Sequence, residues 1–228
     1  MCINKLTKIV FKACLIAQML FVFTLVGCVS AQKSAVSDEI KYAETKALIE
    51  DKSKDDSNSA SIDVFYHEDG SIRLEITALL GYRVGSLLMT KTQLNYILYP
   101  RKIFVEGPLT SKTLYPVFKQ NVDPKLLWAI VFNKDIRNFG FNCKNTFEGY
   151  FCQGNGKVPD LNESTTILIE PVSGQNSEGH LDPLKKITIN NPNLRFVWLF
   201  KAIKKHNKSY NETFVLKVPE DYRLITIK

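Results

Sequence analysis

Histidine is scarce in this chain. There are three, at positions 67, 180 and 206, and none has a patterned partner nearby. The sequence contains no Gly-x-Ser-x-Gly, no His-Glu-x-x-His and no glycine-rich phosphate loop. A hydrolytic triad therefore has no candidate base, and a zinc-peptidase helix has no ligands. Metal-ligating sets are missing as well, because a tetrahedral site needs three or four His, Cys or carboxylate groups at matched spacing. No arginine-rich cluster or groove motif points to nucleic acid. The acidic pairs Glu68-Asp69 and Glu220-Asp221 fall where turns are expected, and short polar residues serve the backbone there. Asn162, Asn207 and Asn211 open Asn-x-Ser/Thr triplets but add no chemistry. These absences leave no catalytic residue and no metal to name, and the chain is expected not to be an enzyme.

Long apolar runs are also missing, with one exception. Lys5, Lys8 and Lys12 form a basic opening, and residues 13 to 26 then carry no charge and are rich in Leu, Ile, Phe and Val. That is the length of a signal-peptide core and is short for a spanning helix, which needs roughly 20 apolar residues. The run ends in Leu25-Val26-Gly27-Cys28. This resembles the lipobox of bacterial lipoproteins, in which an aliphatic residue at minus three and a small one at minus one precede a Cys. The resemblance implies cleavage after residue 27, diacylglycerol on the Cys28 thiol and an acyl chain on the new N-terminus. An uncleaved anchor and ordinary cleavage after Ala31 are the rival readings. Val29 follows the cysteine where Asp often retains a lipoprotein at the inner membrane, so the expected location is the outer membrane, facing the periplasm.

Removal of residues 1–27 leaves about 200 residues, the size of a single β domain. The formal net charge of +7 falls with the three lost lysines, so the basic balance belongs partly to the signal. Cys2 and Cys14 leave with the signal and Cys28 is the lipid site, so Cys143 and Cys152 remain as an even pair in an exported chain. They flank a turn at Glu148-Gly149 in FNCKNTFEGYFCQG. A cross-strand disulfide is the expected reading; two buried thiols or a metal pair are the alternatives.

Residues 28–60 are polar and read as a tether after the lipidated cysteine. Within it, residues 38–50 read equally as a short helix or an opening strand. From Ser61 the pattern changes. SIDVFYHEDGSIRLEIT alternates apolar and polar around a turn at residues 68–70, as a half-buried hairpin does. VGSLLMT, QLNYILYP and KIFVEGP continue the strands. TSKTLYPVF and DPKLLWAIVFN then show helical spacing, with Thr110 or Ser111 and Asp123 as N-caps and Pro124 at a first helical position. Strands resume in FGFNCKNTF, EGYFCQG, TTILIEPV, KKITINN, LRFVWLFKAI, TFVLKVP and YRLITIK. The reading is a mainly β (α+β) domain over residues 61–228. It is a half-open antiparallel barrel of roughly eleven strands, with two or three short helices over its concave side. Such a sheet encloses an apolar cavity.

The run from Arg73 to Asn133 sharpens this. A strand ends in the turn Ala78-Leu79-Leu80-Gly81, a turn at Glu106-Gly107-Pro108 follows, and a helix opens Asp123-Pro124-Lys125-Leu126-Leu127-Trp128. The terminal FVLKVPEDYRLITIK reads as a strand pair with a Val-Pro turn. Over residues 60–228 the pattern resembles the LolA/LolB-like superfamily, most of all outer-membrane lipoproteins of the LolB type. The resemblance implies a half-open β-barrel lidded by helices and a cavity for acyl chains. It also implies transfer of lipoproteins from a soluble periplasmic carrier into the outer membrane. A family leucine on a Pro-Leu-Gly loop assists that release; it corresponds to Leu80, with Leu79 beside it in place of the proline. The candidate lining is Leu74, Ile76, Leu88, Tyr96, Leu98, Phe104, Leu114, Phe118, Leu127, Trp128, Val131, Phe196 and Trp198.

The expected function is binding of acyl chains and insertion of lipoproteins or lipids into the outer membrane. No cofactor is expected beyond the covalent lipid on Cys28. The expected partners are the membrane, acylated lipoproteins or lipids, and a soluble carrier; nucleic acid is not among them. The alternative is a structural or assembly lipoprotein using the same fold as an interaction surface, which predicts a filled interior and an exposed patch on one flank.

Overall fold

The computed structural model describes residues 39–118, 123–156, 164–172 and 184–228. The signal, Cys28 and the first part of the expected tether lie outside them. Among the described residues, twelve strands form one sheet: β1 (Ile40–Asp51), β2 (Asp56–Tyr66), β3 (Ile72–Ala78), β4 (Arg83–Met89), β5 (Gln93–Leu98), β6 (Ile103–Pro108), β7 (Phe141–Asn145), β8 (Tyr150–Gly154), β9 (Thr166–Pro171), β10 (Lys185–Asn190), β11 (Leu194–His206) and β12 (Arg223–Thr226). Their order across the sheet is β12-β6-β5-β4-β3-β2-β1-β11-β10-β9-β8-β7. Neighbours are antiparallel except β6 and β12, which run parallel. The two end strands, β12 and β7, do not pair with each other, so the sheet is a half-open barrel. Val105 near one end and Phe141 at the other belong to one hydrophobic core, as a curled sheet requires.

Two helices supply that core from the concave side: α1 (Ser111–Phe118) and α2 (Pro124–Val131). The Asp123 carboxylate accepts from the Lys125 N–H at 2.8 Å, and Pro124 opens the helix where a backbone N–H has no partner to lose. Alternation along the strands sets the faces. Ile62, Val64 and Tyr66 of β2 pair with Ile76, Leu74 and Ile72 of β3, all turned inward, while Asp63, Phe65, Arg73 and Glu75 turn outward.

Three expectations are corrected. The folded domain does not wait until residue 61. β1 fills Ile40–Asp51 and makes a hairpin with β2, whose pairing begins at Asp51 and Asp56. TFVLKVP is not a strand: Ser209 and Glu212 form a capping box that starts a one-turn helix, α3 (Tyr210–Thr213), and the chain after it is irregular. That segment crosses the convex face, where Phe214 and Leu216 join Ile40, Phe65 and Leu88 in a second, small apolar cluster. The Arg73 guanidinium fixes it there by donating to the carbonyl oxygens of Thr213 at 2.7 Å and Val215 at 3.1 Å. Third, the final strand is not half of an antiparallel pair; it lies parallel to β6.

Candidate functional site

The turn from β3 to β4 is built to present one side chain. Leu80 has φ +68 and ψ +13, a left-handed conformation that costs a non-glycine residue roughly 1 kcal/mol, and Gly81 follows at φ +82. Closure comes from the Ala78 N–H donating to the Tyr82 carbonyl at 2.9 Å. The geometry leaves Leu80 91% exposed and Tyr82 71% exposed. A leucine that gains nothing from burial and sits in a disfavoured backbone well is not part of a core. Leu79 belongs to the same turn; its side chain lies outside the described set.

A polar network on the convex face braces this turn. Glu75, nearly buried, accepts from Arg73 Nε at 2.6 Å, from Arg83 at 3.0 Å and from the Ser86 hydroxyl at 2.5 Å. Ser86 in turn shares a hydrogen bond with the Tyr99 hydroxyl at 2.9 Å. The Arg83 guanidinium lies 4.9 Å from the Tyr99 ring centre, a cation–π distance.

The thirteen candidate lining residues separate into groups. Leu74, Tyr96, Leu114, Leu127, Val131 and Trp198 are buried in the main core under α1 and α2. The Tyr96 hydroxyl donates to the Thr113 carbonyl at 3.1 Å, and the Trp198 indole donates to the Thr45 hydroxyl at 2.7 Å. Burial holds the Tyr96 phenol in its neutral form and pushes its pKa up to about 12. Trp128 is half-buried and donates to the Gly70 carbonyl. The Phe118 side chain lies outside the described set.

Leu88 and Phe104 are on the wrong face for a lining role. Leu88 pairs with Asn95 beside the inward Leu87, and it packs in the convex cluster with Ile40 and Phe214. Phe104 lies between Ile103 and Val105, which point inward, so it points outward.

Ile76, Leu98 and Phe196 remain. They are apolar and half-buried, and they sit at the inner end of their strands nearest the Leu80 turn. Ile189, opposite Phe196 on β10, joins them and was absent from the sequence-based set. The alternation in KKITIN carries its signal. The concave side is thus closed by helices at one end and offers half-exposed apolar side chains at the other.

On the far flank, Cys143 and Cys152 pair directly across β7 and β8 and are joined by a disulfide, with Cα atoms 4.0 Å apart. The hairpin tip beyond them exposes Phe147 completely, at 107%. Among the described residues no group of His, Cys, Asp and Glu is arranged to hold a metal ion, and no helix is long and apolar enough to cross a membrane.

No protein-family model matches the chain, and no curated protein matches it. Solved structures that resemble it include an uncharacterised conserved protein from Thermus thermophilus, at 9% identity over 84% of this chain and 92% of that one, with a TM-score of 0.46. A LolA superfamily protein from Nitrosomonas europaea matches at 8% identity over 79% and 91%, with a TM-score of 0.46. An outer membrane lipoprotein-sorting protein domain from Vibrio parahaemolyticus matches at 7% identity over 76% and 88%, with a TM-score of 0.43. None of these likenesses carries a function to this chain.

Proposed function

We propose that this protein is a lipoprotein of the outer membrane, anchored through Cys28, that holds acyl chains at the open end of its concave face. In this reading it delivers lipoproteins or lipids into the membrane, as LolB-type proteins do. The observation that carries the reading is the exposed Leu80, held outward in a left-handed turn at the same end as Ile76, Leu98, Ile189 and Phe196. An acyl chain against those side chains gains about 0.8 kcal/mol for each CH₂ removed from water. A leucine at the tip enters the acyl region of a bilayer at little cost and brings these side chains to the membrane surface.

The test is native mass spectrometry of the mature chain with Cys28→Ser, purified without detergent, so that no attached lipid mimics cargo. The carrier reading predicts added mass from a phospholipid or a supplied acylated peptide, reduced by Phe196→Asp at the open end of the concave face. An apo mass with no uptake of the acylated peptide contradicts it.

A specific observation favours a second reading, an assembly lipoprotein without lipid cargo. Tyr96, Leu114, Ile130, Trp198 and Phe200 fill the concave side under the helices, and Phe147 stands fully exposed on a disulfide-stapled hairpin at the sheet edge. An exposed aromatic on a rigid support suits a protein partner.

A further inference from the structure

The end of the sheet that carries Leu80 has a composition that the apolar tip alone does not explain. Three neighbouring elements meet there: the start of β4, the turn from β5 to β6 at Tyr99–Arg101, and the start of β12. They bring together three tyrosines, Tyr82, Tyr99 and Tyr222, and four cations, Arg83, Arg101, Lys102 and Arg223. The contacts are direct. Arg83 stacks on Tyr99 at 4.9 Å, the rings of Tyr99 and Tyr222 lie 6.3 Å apart, and the Arg223 N–H donates to the Lys102 carbonyl at 2.9 Å. Arg83, Arg101, Lys102 and Arg223 are all exposed.

The acids nearby do not cancel this charge. Asp221 pairs with Lys102 at 2.7 Å, and Glu75 is shared between Arg73 and Arg83. Among the described residues, Glu220 is the remaining carboxylate next to these cations in the chain. Arg101 and Arg223 have no carboxylate within ion-pair distance among the described residues. Across Leu80, the turn from β1 to β2 holds Lys52 and Lys54 against Asp51, Asp55 and Asp56, so the excess positive charge lies on the β4–β12 side of the tip.

We infer that this rim is a docking surface for an anionic lipid bilayer, with the phosphate groups of acidic phospholipids held by Arg101 and Arg223 while Leu80 enters the acyl layer beside them. The inference rests on the proposed role of Leu80 as a membrane tip and adds the class of lipid that the tip selects. Guanidinium forks match phosphate oxygens in pairs. Tyrosines place a ring at the acyl boundary and a hydroxyl among the headgroups. Each exposed arginine near an anionic surface strengthens binding by about fivefold at moderate ionic strength. The fixed geometry of the turn means that insertion of Leu80 and contact of the arginines with headgroups happen together.

The experiment is cosedimentation of the mature Cys28→Ser chain with vesicles of phosphatidylcholine alone and of phosphatidylcholine with phosphatidylglycerol. The expected result is at least tenfold tighter binding to the anionic vesicles, lost in high salt. Arg101→Gln with Arg223→Gln should remove most of that preference and leave binding to neutral vesicles unchanged. Neither side chain is buried, so the fold survives the change. Leu80→Glu should weaken binding to both vesicle types. Equal binding to neutral and anionic vesicles, or a double variant that keeps the preference, overturns the inference and leaves the tip intact. An effect of the arginines with none from Leu80 overturns the membrane-tip reading instead.

Discussion

The indole Nε1 of Trp128 donates to the carbonyl oxygen of Gly70 over 2.9 Å and so ties α2 to the turn between β2 and β3. Gly70 sits at φ +96, and a Cβ there would meet that nitrogen at 3.3 Å. The turn is therefore shaped to receive the indole. Trp128→Phe keeps most of the ring packing against Phe132 but removes the hydrogen bond. It should lower stability by about 1 kcal/mol in urea unfolding. Gly70→Ala should cost at least as much, because it adds left-handed strain to the crowding.

The other end of α2 is held by a buried lysine. Lys185 Nζ donates to the Ile130 carbonyl at 2.6 Å and to the Asn133 side-chain oxygen at 2.5 Å, and it lies 4.8 Å from the Phe200 ring centre. It adds a charged donor at the carbonyl end of the helix, where the Asn133 N–H reaches the Ile130 carbonyl only at 3.4 Å. Lys185→Met retains the stem and removes the donors. The expected loss is about 2–3 kcal/mol, read from the urea midpoint.

Tyr96 makes the fold sensitive to high pH. Its phenol ionises near pH 10 when unfolded and only near pH 12 when folded, because burial disfavours the phenolate. The unfolded state therefore loses its proton first. The stability that Tyr96 contributes is complete below pH 10 and drains away between pH 10 and 12. Tyr96→Phe should be less stable at neutral pH by about 1 kcal/mol, through loss of the bond to Thr113, and should fall less steeply above pH 10. Chemical unfolding at pH 8 and pH 11 measures both effects.

Reduction of the Cys143–Cys152 bond opens a loop of about ten residues and should destabilise the domain by about 2–3 kcal/mol. The loss should appear first as faster hydrogen exchange in β7 and β8, since β7 ends the sheet and has one paired edge.

Much of this architecture is legible in the sequence where one signal dominates. The hairpin around Asp69-Gly70 alternates cleanly. Asp123-Pro124 marks a helix start by two independent means, and the paired cysteines frame a tight turn. β1 is not legible, because EIKYAETKALIE is rich in Glu, Lys and Ala. Those residues favour helix, and only pairing with β2 and β11 makes it a strand. The face of Leu88 is hidden for a related reason. In GSLLM both sides of β4 are buried, one by the helices and one by the C-terminal segment, so alternation vanishes. FVLKV reads as a strand by composition, yet the preceding Ser209–Glu212 capping box starts a helical turn and lays the segment across the convex face.

The first described strand begins at the end of the sheet opposite the proposed tip. β1 enters at Ile40, while Ala78 pairs with Ala60 and Ala60 with Ala47, which sets Leu80 roughly 30 Å along the strands from Ile40. The residues between 28 and 40 reach about 40 Å at full extension. Anchorage at Cys28 and insertion of Leu80 in one bilayer therefore use about three-quarters of that length. Deletion of residues 31–36 should abolish delivery in cells and leave the fold and acyl-peptide binding of the purified chain unchanged.

The most direct measurement is transfer itself. The mature Cys28→Ser chain is loaded with a fluorescent triacylated peptide and mixed with anionic vesicles, and the rate at which label enters the bilayer is followed. The carrier account predicts rapid transfer by the native sequence, and at least tenfold slower transfer by Leu80→Glu despite equal loading. A chain that takes up no acylated peptide, or a Leu80→Glu variant that transfers as fast as the native sequence, contradicts it.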